Sequence, residues 1–339
     1  MRVLMLSLDR FVTDPQSLVG KRLSALSHAV GEVVVLVPEV GSKVRVFFTL
    51  WRQAKVILSE KNFNLITVQD TAYLAFLGYL LARQFKIPLE IQVHGLEKFF
   101  GLRKFFAGFV LRHANKVRVV SQRLKHFLMS RFSLPDSRLY VLPIYTQPEK
   151  NREGGILNRK DKPFTFLTVG RLVPVKNIAL QIRAFAWLVR EFPNARLVIV
   201  GNGPEMAYLK LIAIRYTLNA SVSFEGHQND VGRYYAEADA FLLTSNSEGW
   251  GLVALEAAAY GLPIIMTDVG LAGEVLKNGE SALVIPVGDE EALVQAMKRV
   301  ITDANLRQRL GEEALRVFTA LPNPEEQIQK QVEAWRSLE

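Results

Sequence analysis

Two carboxylates stand eight positions apart in Glu248-Gly-Trp-Gly-Leu-Val-Ala-Leu-Glu256. Glu248 falls in a loop after the apolar run Ala240–Leu243, and Glu256 a turn or so into the helical segment that follows. Gly249 and Gly251 let backbone approach a ligand closely, and the helix near 251–260 offers unpaired N–H groups at a positive end suited to a phosphate. A carboxylate at Glu256 can accept hydrogen bonds from two vicinal hydroxyls, as a ribose presents them. Glu248, ahead of the helix, can do the same for a sugar beyond the phosphate. The plainer alternative is two surface glutamates, one of them a helix-start charge.

Cations suited to such a ligand occur in Gly170-Arg171-Leu172-Val173-Pro174-Val175-Lys176-Asn177, which follows an apolar strand and leads into a helix. A diphosphate leaving group needs fixed positive charge, which a planar Arg fork and a point-like Lys supply together. Either alone reads equally as a solvated loop charge. Gly201-Asn202-Gly203 also sits between strand and helix, but Met206 occupies the third glycine position of G-x-G-x-x-G, so the NAD fingerprint is not met. His94 closes another strand, where it could donate a hydrogen bond to a sugar or a developing charge, or serve structure alone. The chain has no cysteine, hence no thiolate chemistry and no disulfide, as suits a cytosolic protein. No Asp-x-Asp occurs to anchor a metal. No metal and no cofactor are expected.

The elements that must position these groups alternate in type. In the first half, β-branched runs near 2–7, 32–37, 64–68, 89–93, 116–120 and 138–142 are separated by helical patterns near 16–30, 45–58, 71–85, 98–113 and 121–131. Lys150 to Gly155 and the polar stretch to Pro163 read as a linker. The alternation restarts with strands near 164–170, 196–201, 221–225, 239–243, 263–266 and 282–285, and helices near 177–191, 204–218, 251–260, 289–302, 305–319 and 324–337. Near-continuous apolar strands such as Leu197–Val200 are those of parallel sheets buried on both faces. The fold class is therefore α/β: two doubly wound Rossmann-like domains, 1–150 and 163–321, with ligands at the carboxyl ends of the strands and the cleft between the domains as the expected site. Met1–Leu8 is too short for a signal peptide and reads as the first buried strand; no run is long enough to span a bilayer.

A colinear series in the second half carries a resemblance: Thr168–Leu172 with Lys176-Asn177, Ile199–Pro204, Val222–Gly226, Ala238–Phe241, Ser247–Glu256 and Gly261-Leu262-Pro263. It resembles the retaining glycosyltransferases of GT-B fold with a Glu-x7-Glu motif. The resemblance implies a nucleoside-diphosphate sugar as co-substrate, with Arg171 and Lys176 on its pyrophosphate, Glu256 on the ribose and Glu248 on the donor sugar, while Phe224-Glu225-Gly226-His227 flanks the base, Gly201-Asn202-Gly203 forms the floor of the donor site and Gly249, Trp250, Gly251 and Leu252 line it. It implies transfer with retention, metal-independent, to a bacterial envelope glycan or lipid-linked acceptor held by the first domain. Val93-His94-Gly95 fits the family's acceptor-side segment. Relatives carry a paired-glycine loop after the first strand, where this chain has Asp14 to Gly20; Asp9, Arg10 and Ser17 are its candidates there. Gln69-Asp70 is better read as a helix cap. The last helix, 322–339, is expected to cross back to the first domain.

Charge is one-sided. Residues 1–150 hold 22 Lys and Arg against 10 Asp and Glu, a net of +12, and the rest of the chain has −3. Between Glu97 and Phe132 lie nine cations, Lys98, Arg103, Lys104, Arg112, Lys116, Arg118, Arg123, Lys125 and Arg131, interleaved with Phe99, Phe100, Phe105, Phe106, Phe109 and Phe127. A second cluster runs from Lys43 to Arg52. Segments 43–52 and 98–131 would suit an anionic membrane surface, at roughly 1 kcal/mol per basic residue, placing the protein peripherally on the inner face of the cytoplasmic membrane. The alternative is a core face with solvated lysines opposite. No recognition motif points to nucleic acid. Competing functions are a GT-B epimerase or phosphorylase and a non-catalytic nucleotide-sugar-binding scaffold.

Overall fold

The computed structural model describes residues 1–38, 42–95, 101–145 and 162–338. The expected linker from Lys150, together with Glu97, Lys98, Phe99 and Phe100, lies outside them. The chain divides into two compact units, one of Met1–Pro143 with Pro322–Glu339, the other of Ile144–Leu321.

In the first unit, β1 (Arg2–Ser7), β2 (Glu32–Leu36), β3 (Leu65–Gln69), β4 (Leu89–Val93), β5 (Lys116–Val119) and β6 (Leu139–Val141) form one parallel sheet in the order β2-β1-β3-β4-β5-β6. Right-handed crossovers then fix the helix layers. The crossover α1 (Leu18–Val30) runs toward the β2 edge, whereas α2 (Lys43–Glu60), α3 (Tyr73–Phe85), α4 (Gly101–His113) and α5 (Gln122–Phe132) all run the other way. The latter four lie side by side on one face, and α1 packs on the C-terminal helix α12 (Pro324–Arg336) on the other. In α2 the stripe Val46, Leu50, Ala54, Leu58 is buried, and the spacing of four that makes it repeats outside as the exposed Val44, Phe48 and Val56. The capping box of Asn323 and Glu326, with Pro324 at the first turn, starts α12 sharply.

The basic stretch divides on folding. Arg118 is only 1% exposed and Lys116 bonds the Ala334 carbonyl and the Ser337 hydroxyl of the C-terminal segment, so neither belongs to a charged surface. Phe132 is buried and Phe106 and Phe109 are half-buried, whereas Phe105 stands 68% exposed.

The second unit repeats the architecture. β7 (Thr165–Val169), β8 (Arg196–Val200), β9 (Val222–Gly226), β10 (Ala240–Leu243), β11 (Ile264–Thr267) and β12 (Leu283–Ile285) run parallel in the order β12-β11-β10-β7-β8-β9. The helices α6 (Ile178–Glu191), α7 (Met206–Arg215), α9 (Leu252–Ala259), α10 (Glu290–Thr302) and α11 (Ala304–Thr319) fall where the periodicity places them. Two local departures have clear causes. The apolar pattern extends α7 to residue 218, but the helix stops at Arg215: Thr217 takes a left-handed φ of 57° and the Leu218 N–H returns to the Ala213 carbonyl at 2.9 Å. Leu218 is buried by that reversal and so imitates another helical turn. The six-residue α8 (Gly232–Glu237) is too short to show a period.

Candidate functional site

All strands of the second unit point the same way, so every strand exit lies along one edge of its sheet. The strand order reverses between β7 and β10, and that switch point is where an open parallel sheet leaves room for a ligand. Arg171 and Lys176 follow β7, and Glu248 follows β10. The structure joins two of them across the switch: Lys176 Nζ lies 2.5 Å from Glu248 Oε1, with the side chains 20% and 12% exposed. Ser245 donates a second hydrogen bond to the same oxygen at 2.6 Å. Arg171 is exposed at the β7 exit, and the Lys176 stem folds back beside Gly170.

A buried polar brace holds this arrangement. Gln181 donates to Thr168 and Thr244, and Thr244 in turn donates to the Lys176 and Asn177 carbonyls. Asn177, in a left-handed conformation, reaches Asn246 at 3.1 Å, while the Asn246 N–H bonds the Val175 carbonyl at 2.7 Å. The 3-10 turn Pro174–Lys176 is thereby clamped to the β10 exit from both backbone and side chain.

The glycines of Gly201-Asn202-Gly203 serve backbone packing. A Cβ on Gly201 would stand 1.8 Å from the Gly170 carbonyl oxygen, and one on Gly203 would stand 2.3 Å from that of Leu172. The Leu172 N–H donates to the Asn202 carbonyl, so the β8 loop fixes the segment carrying Arg171. Next along the edge, Gly201 donates to Gly226, whose φ of 69° follows a β-bulge between β8 and β9. Phe224 packs half-buried on the core with Lys210 over its ring at 5.9 Å, and His227 is exposed.

Gly251, at φ 97°, begins α9 with no side-chain cap, and the Ala254 N–H turns back to the Gly251 carbonyl at 2.9 Å. Leu252 and Glu256 are half-buried, as is Gly249. Trp250 is 4% exposed, and its ring packs within the loop. Its carbonyl accepts the Leu271 N–H, and Gly270 fits beneath it because any Cβ there would meet that carbonyl oxygen at 2.4 Å. Sequence reasoning passed over Gly270, Ser245 and Tyr235. Ser245 had a local signal, the polar Thr244-Ser245-Asn246 run after an apolar strand. Tyr235 had none.

Tyr235 is 1% exposed, stacks on Tyr260 and donates its hydroxyl to Glu256 Oε2 at 2.8 Å. Burial, then the Glu256 charge, pushes the phenol well above its usual range, so it remains a donor. Tyr235→Phe is expected to raise the dissociation constant of the nucleotide about tenfold, the scale of one hydrogen bond to a charged group, with kcat little changed. Titration calorimetry of wild type and variant with a nucleoside diphosphate checks this.

In the first unit, the strand order reverses between β1 and β3. Asp9 and Arg10 follow β1 there. Asp9 accepts the Phe11 N–H at 2.9 Å and caps a 3-10 turn, Arg10–Thr13. Ser17 caps α1, accepting the Gly20 N–H while its own O–H is engaged by the Phe11 and Asp14 carbonyls. These capping bonds account for Asp9 and Ser17 without an acceptor; the Arg10 side chain is exposed. Gly20 is required because a Cβ would meet the Asp14 carbonyl oxygen at 1.9 Å. Asp70 accepts the Ala72 and Leu74 N–H groups, as the cap reading proposes.

His94 stands at the β4 exit with Nε2 buried and unbonded among the described residues. Burial, then the Arg118 and Arg22 charges, lowers its pKa to about 3. The ring is therefore neutral at pH 7. The unfolded chain takes up a proton near pH 6.5 that the folded chain refuses until about pH 3, so stability should fall with acidification through that window by at most about 1.4 kcal/mol per pH unit. Thermal unfolding of wild type and His94→Gln from pH 7 to 4 should show a shallower slope for the variant.

Residues 149–317 match the family model for glycosyl transferases group 1, and residues 11–144 match glycosyltransferase family 4. The N-acetyl-alpha-D-glucosaminyl L-malate synthase of Bacillus anthracis is 32% identical over 183 residues, 54% of this chain and 46% of that protein. The match thus spans about half the length of that curated relative. The capsular polysaccharide biosynthesis glycosyltransferase CapM of Staphylococcus aureus is 27% identical over 320 residues, covering 86% of this chain and 81% of its own. A crystal structure of Anabaena HepE in complex with UDP shares the fold with a TM-score of 0.80 at 19% identity, covering 99% of this chain and 100% of the other. With two Rossmann-like units of six parallel strands each and family matches across both, the chain belongs to the group 1 glycosyltransferases of GT-B fold.

Proposed function

We propose that this protein transfers a sugar from a nucleoside-diphosphate sugar to a hydroxyl of a glycan or lipid-linked acceptor, with retention and without a metal. The observation that carries the reading is the Lys176–Glu248 pair, clamped across the switch point of the second sheet beside the uncapped start of α9. In this reading Arg171, Lys176 and the α9 N-terminus take the negative charge of the departing diphosphate. Glu256, oriented by Tyr235, accepts the ribose hydroxyls. Glu248 orients the donor sugar; His94, neutral and with Nε2 unbonded among the described residues, serves the acceptor side. The capsular polysaccharide biosynthesis role of CapM and the UDP bound to HepE support a polysaccharide acceptor and a nucleotide donor.

The excess charge of the first unit supports docking on an anionic membrane from the cytoplasmic side. Among the described residues no helix is long and apolar enough to cross a membrane. Exposed Val44, Phe48 and Val56 on α2, interleaved with Arg45 and Arg52, supply an apolar ridge with cations beside it.

Thermal-shift screening with nucleoside diphosphates, followed by transfer assays with the matching sugars, tests the function. Product anomers read by NMR test retention, and turnover in excess chelator tests metal independence. Nucleotide binding with no turnover across a broad donor panel would favour a scaffold. Interconversion of donor sugars without an acceptor would favour an epimerase. A chain that binds no nucleoside diphosphate would end the proposal.

A further inference from the structure

The cations of the basic stretch are mostly committed within the first unit. Arg118 is buried, Lys116 binds the C-terminal segment, Lys125 pairs with Asp136 at 2.7 Å, Arg103 faces Asp70 at 3.9 Å, and Arg123 is engaged as well. The other three among the described residues, Lys104, Arg112 and Arg131, line one groove of about 500 Å³ between α4 and α5. That volume is in the range of small-ligand sites. The groove wall is aromatic, formed by Phe105, Phe109 and Phe132, and no acidic side chain lines it.

The local geometry keeps the groove open and charged. Gly108 forms its floor; a Cβ there would press on the Phe132 ring at 3.1 Å and stand 3.7 Å from Arg112 Nη1. Arg112 is anchored by its Nε on the Phe132 carbonyl at 3.1 Å, which holds the guanidinium over that floor. Phe105 is 68% exposed at the rim. Three cations around an aromatic trough match a ligand that is anionic at one end and apolar at the other.

We propose that the α4–α5 groove binds a single anionic phospholipid, its phosphate on Lys104, Arg112 and Arg131 and one acyl chain against Phe105 and Phe109. The inference rests on the membrane-docking reading above and sharpens it from a charged surface to a defined lipid site. An acyl chain would cover the exposed ring of Phe105, and the cations would exchange water for phosphate oxygens.

The test uses the full chain and dihexanoyl-phosphatidylglycerol below its micellar concentration, followed by calorimetry, with the phosphatidylcholine analogue and glycerol phosphate in parallel. The glycerol lipid should bind and the other two should bind more weakly, since one lacks net charge and the other lacks chains. Lys104→Gln/Arg131→Gln, at two exposed positions, should lose about 25-fold in affinity, roughly fivefold per cation, with unchanged melting temperature. Equal binding of the choline analogue, or undiminished affinity in the double variant, would overturn the site. Co-sedimentation with phosphatidylglycerol vesicles separates the two readings. Vesicle binding that survives the double variant, with no short-chain binding, leaves docking standing and removes the groove. Short-chain binding lost in the double variant, with no vesicle binding by wild type, keeps the groove and removes docking.

Discussion

Lys176→Ala is expected to lower sugar transfer by about 10²–10³-fold, chiefly in kcat, the scale of losing one fixed group that stabilises developing negative charge. Lys176 is held before any ligand arrives: its backbone turn is clamped by Thr244 and Asn246, and its ammonium rests on Glu248 at 2.5 Å. Such a charge needs no rearrangement when the diphosphate departs, and at 20% exposure it is poorly screened by water. Removing it also leaves Glu248 held, among the described residues, by the Ser245 hydroxyl, so the carboxylate loses its fixed orientation. Lys176→Arg should not restore the rate, because a planar fork cannot occupy the point position of an ammonium. Steady-state kinetics on folded variants, with nucleotide affinity measured separately, give the split between kcat and KM. A kcat within a factor of about two of wild type would remove Lys176 from leaving-group stabilisation.

Trp335→Ala is expected to cost the fold about 3–5 kcal/mol, the range for deleting a buried aromatic side chain. Trp335 is fully buried on α12, packed with the core residues Val3, Met5, Leu26 and Leu65 of the first unit. Its indole N–H also donates to Glu90 Oε2 at 2.9 Å. Glu90 is a fully buried carboxylate that depends on donors from every side: Thr67 at 2.5 Å, Gln92 at 3.1 Å, and the Tyr140 hydroxyl. Burial, then the Glu90 charge, raises the Tyr140 phenol well above its usual range, so it too stays protonated. Beside this cluster the buried Arg118 donates to the Leu142 carbonyl and to Gln331 of α12. A loss of that size should lower the melting temperature by roughly 10 °C. Trp335→Phe keeps an aromatic ring in the core but loses part of the indole volume and the hydrogen bond to the carboxylate, the latter worth about 1.5–3 kcal/mol, so it should cost less than Trp335→Ala. A melting temperature unchanged in Trp335→Ala would show that α12 is not part of the cooperative unit it packs against. Calorimetry decides it.

The chain's own pattern determines most elements to within a residue or two, because parallel strands buried on both faces are nearly continuous apolar runs and their crossover helices keep a 3.6-residue period. It also marks the strand exits, since glycines at Gly170, Gly201 and Gly251 interrupt those patterns where backbone must pass backbone or turn left-handed. Glu248 and Glu256 were legible for the same reason: both lie within one short loop-helix segment. Tertiary structure alone decided which groups meet. The Lys176–Glu248 pair spans 72 positions and the Tyr235–Glu256 bond 21, and both depend on the order of strands in a sheet, which local periodicity does not encode. The same holds for Arg118, read along the chain as surface charge and buried once α12 returns to cover it, and for Trp335, whose carboxylate partner lies 245 positions away. Periodicity reports that a face is apolar, while burial depends on what packs against it. That is why one phenylalanine-rich stretch supplies both the buried Phe132 and the exposed Phe105.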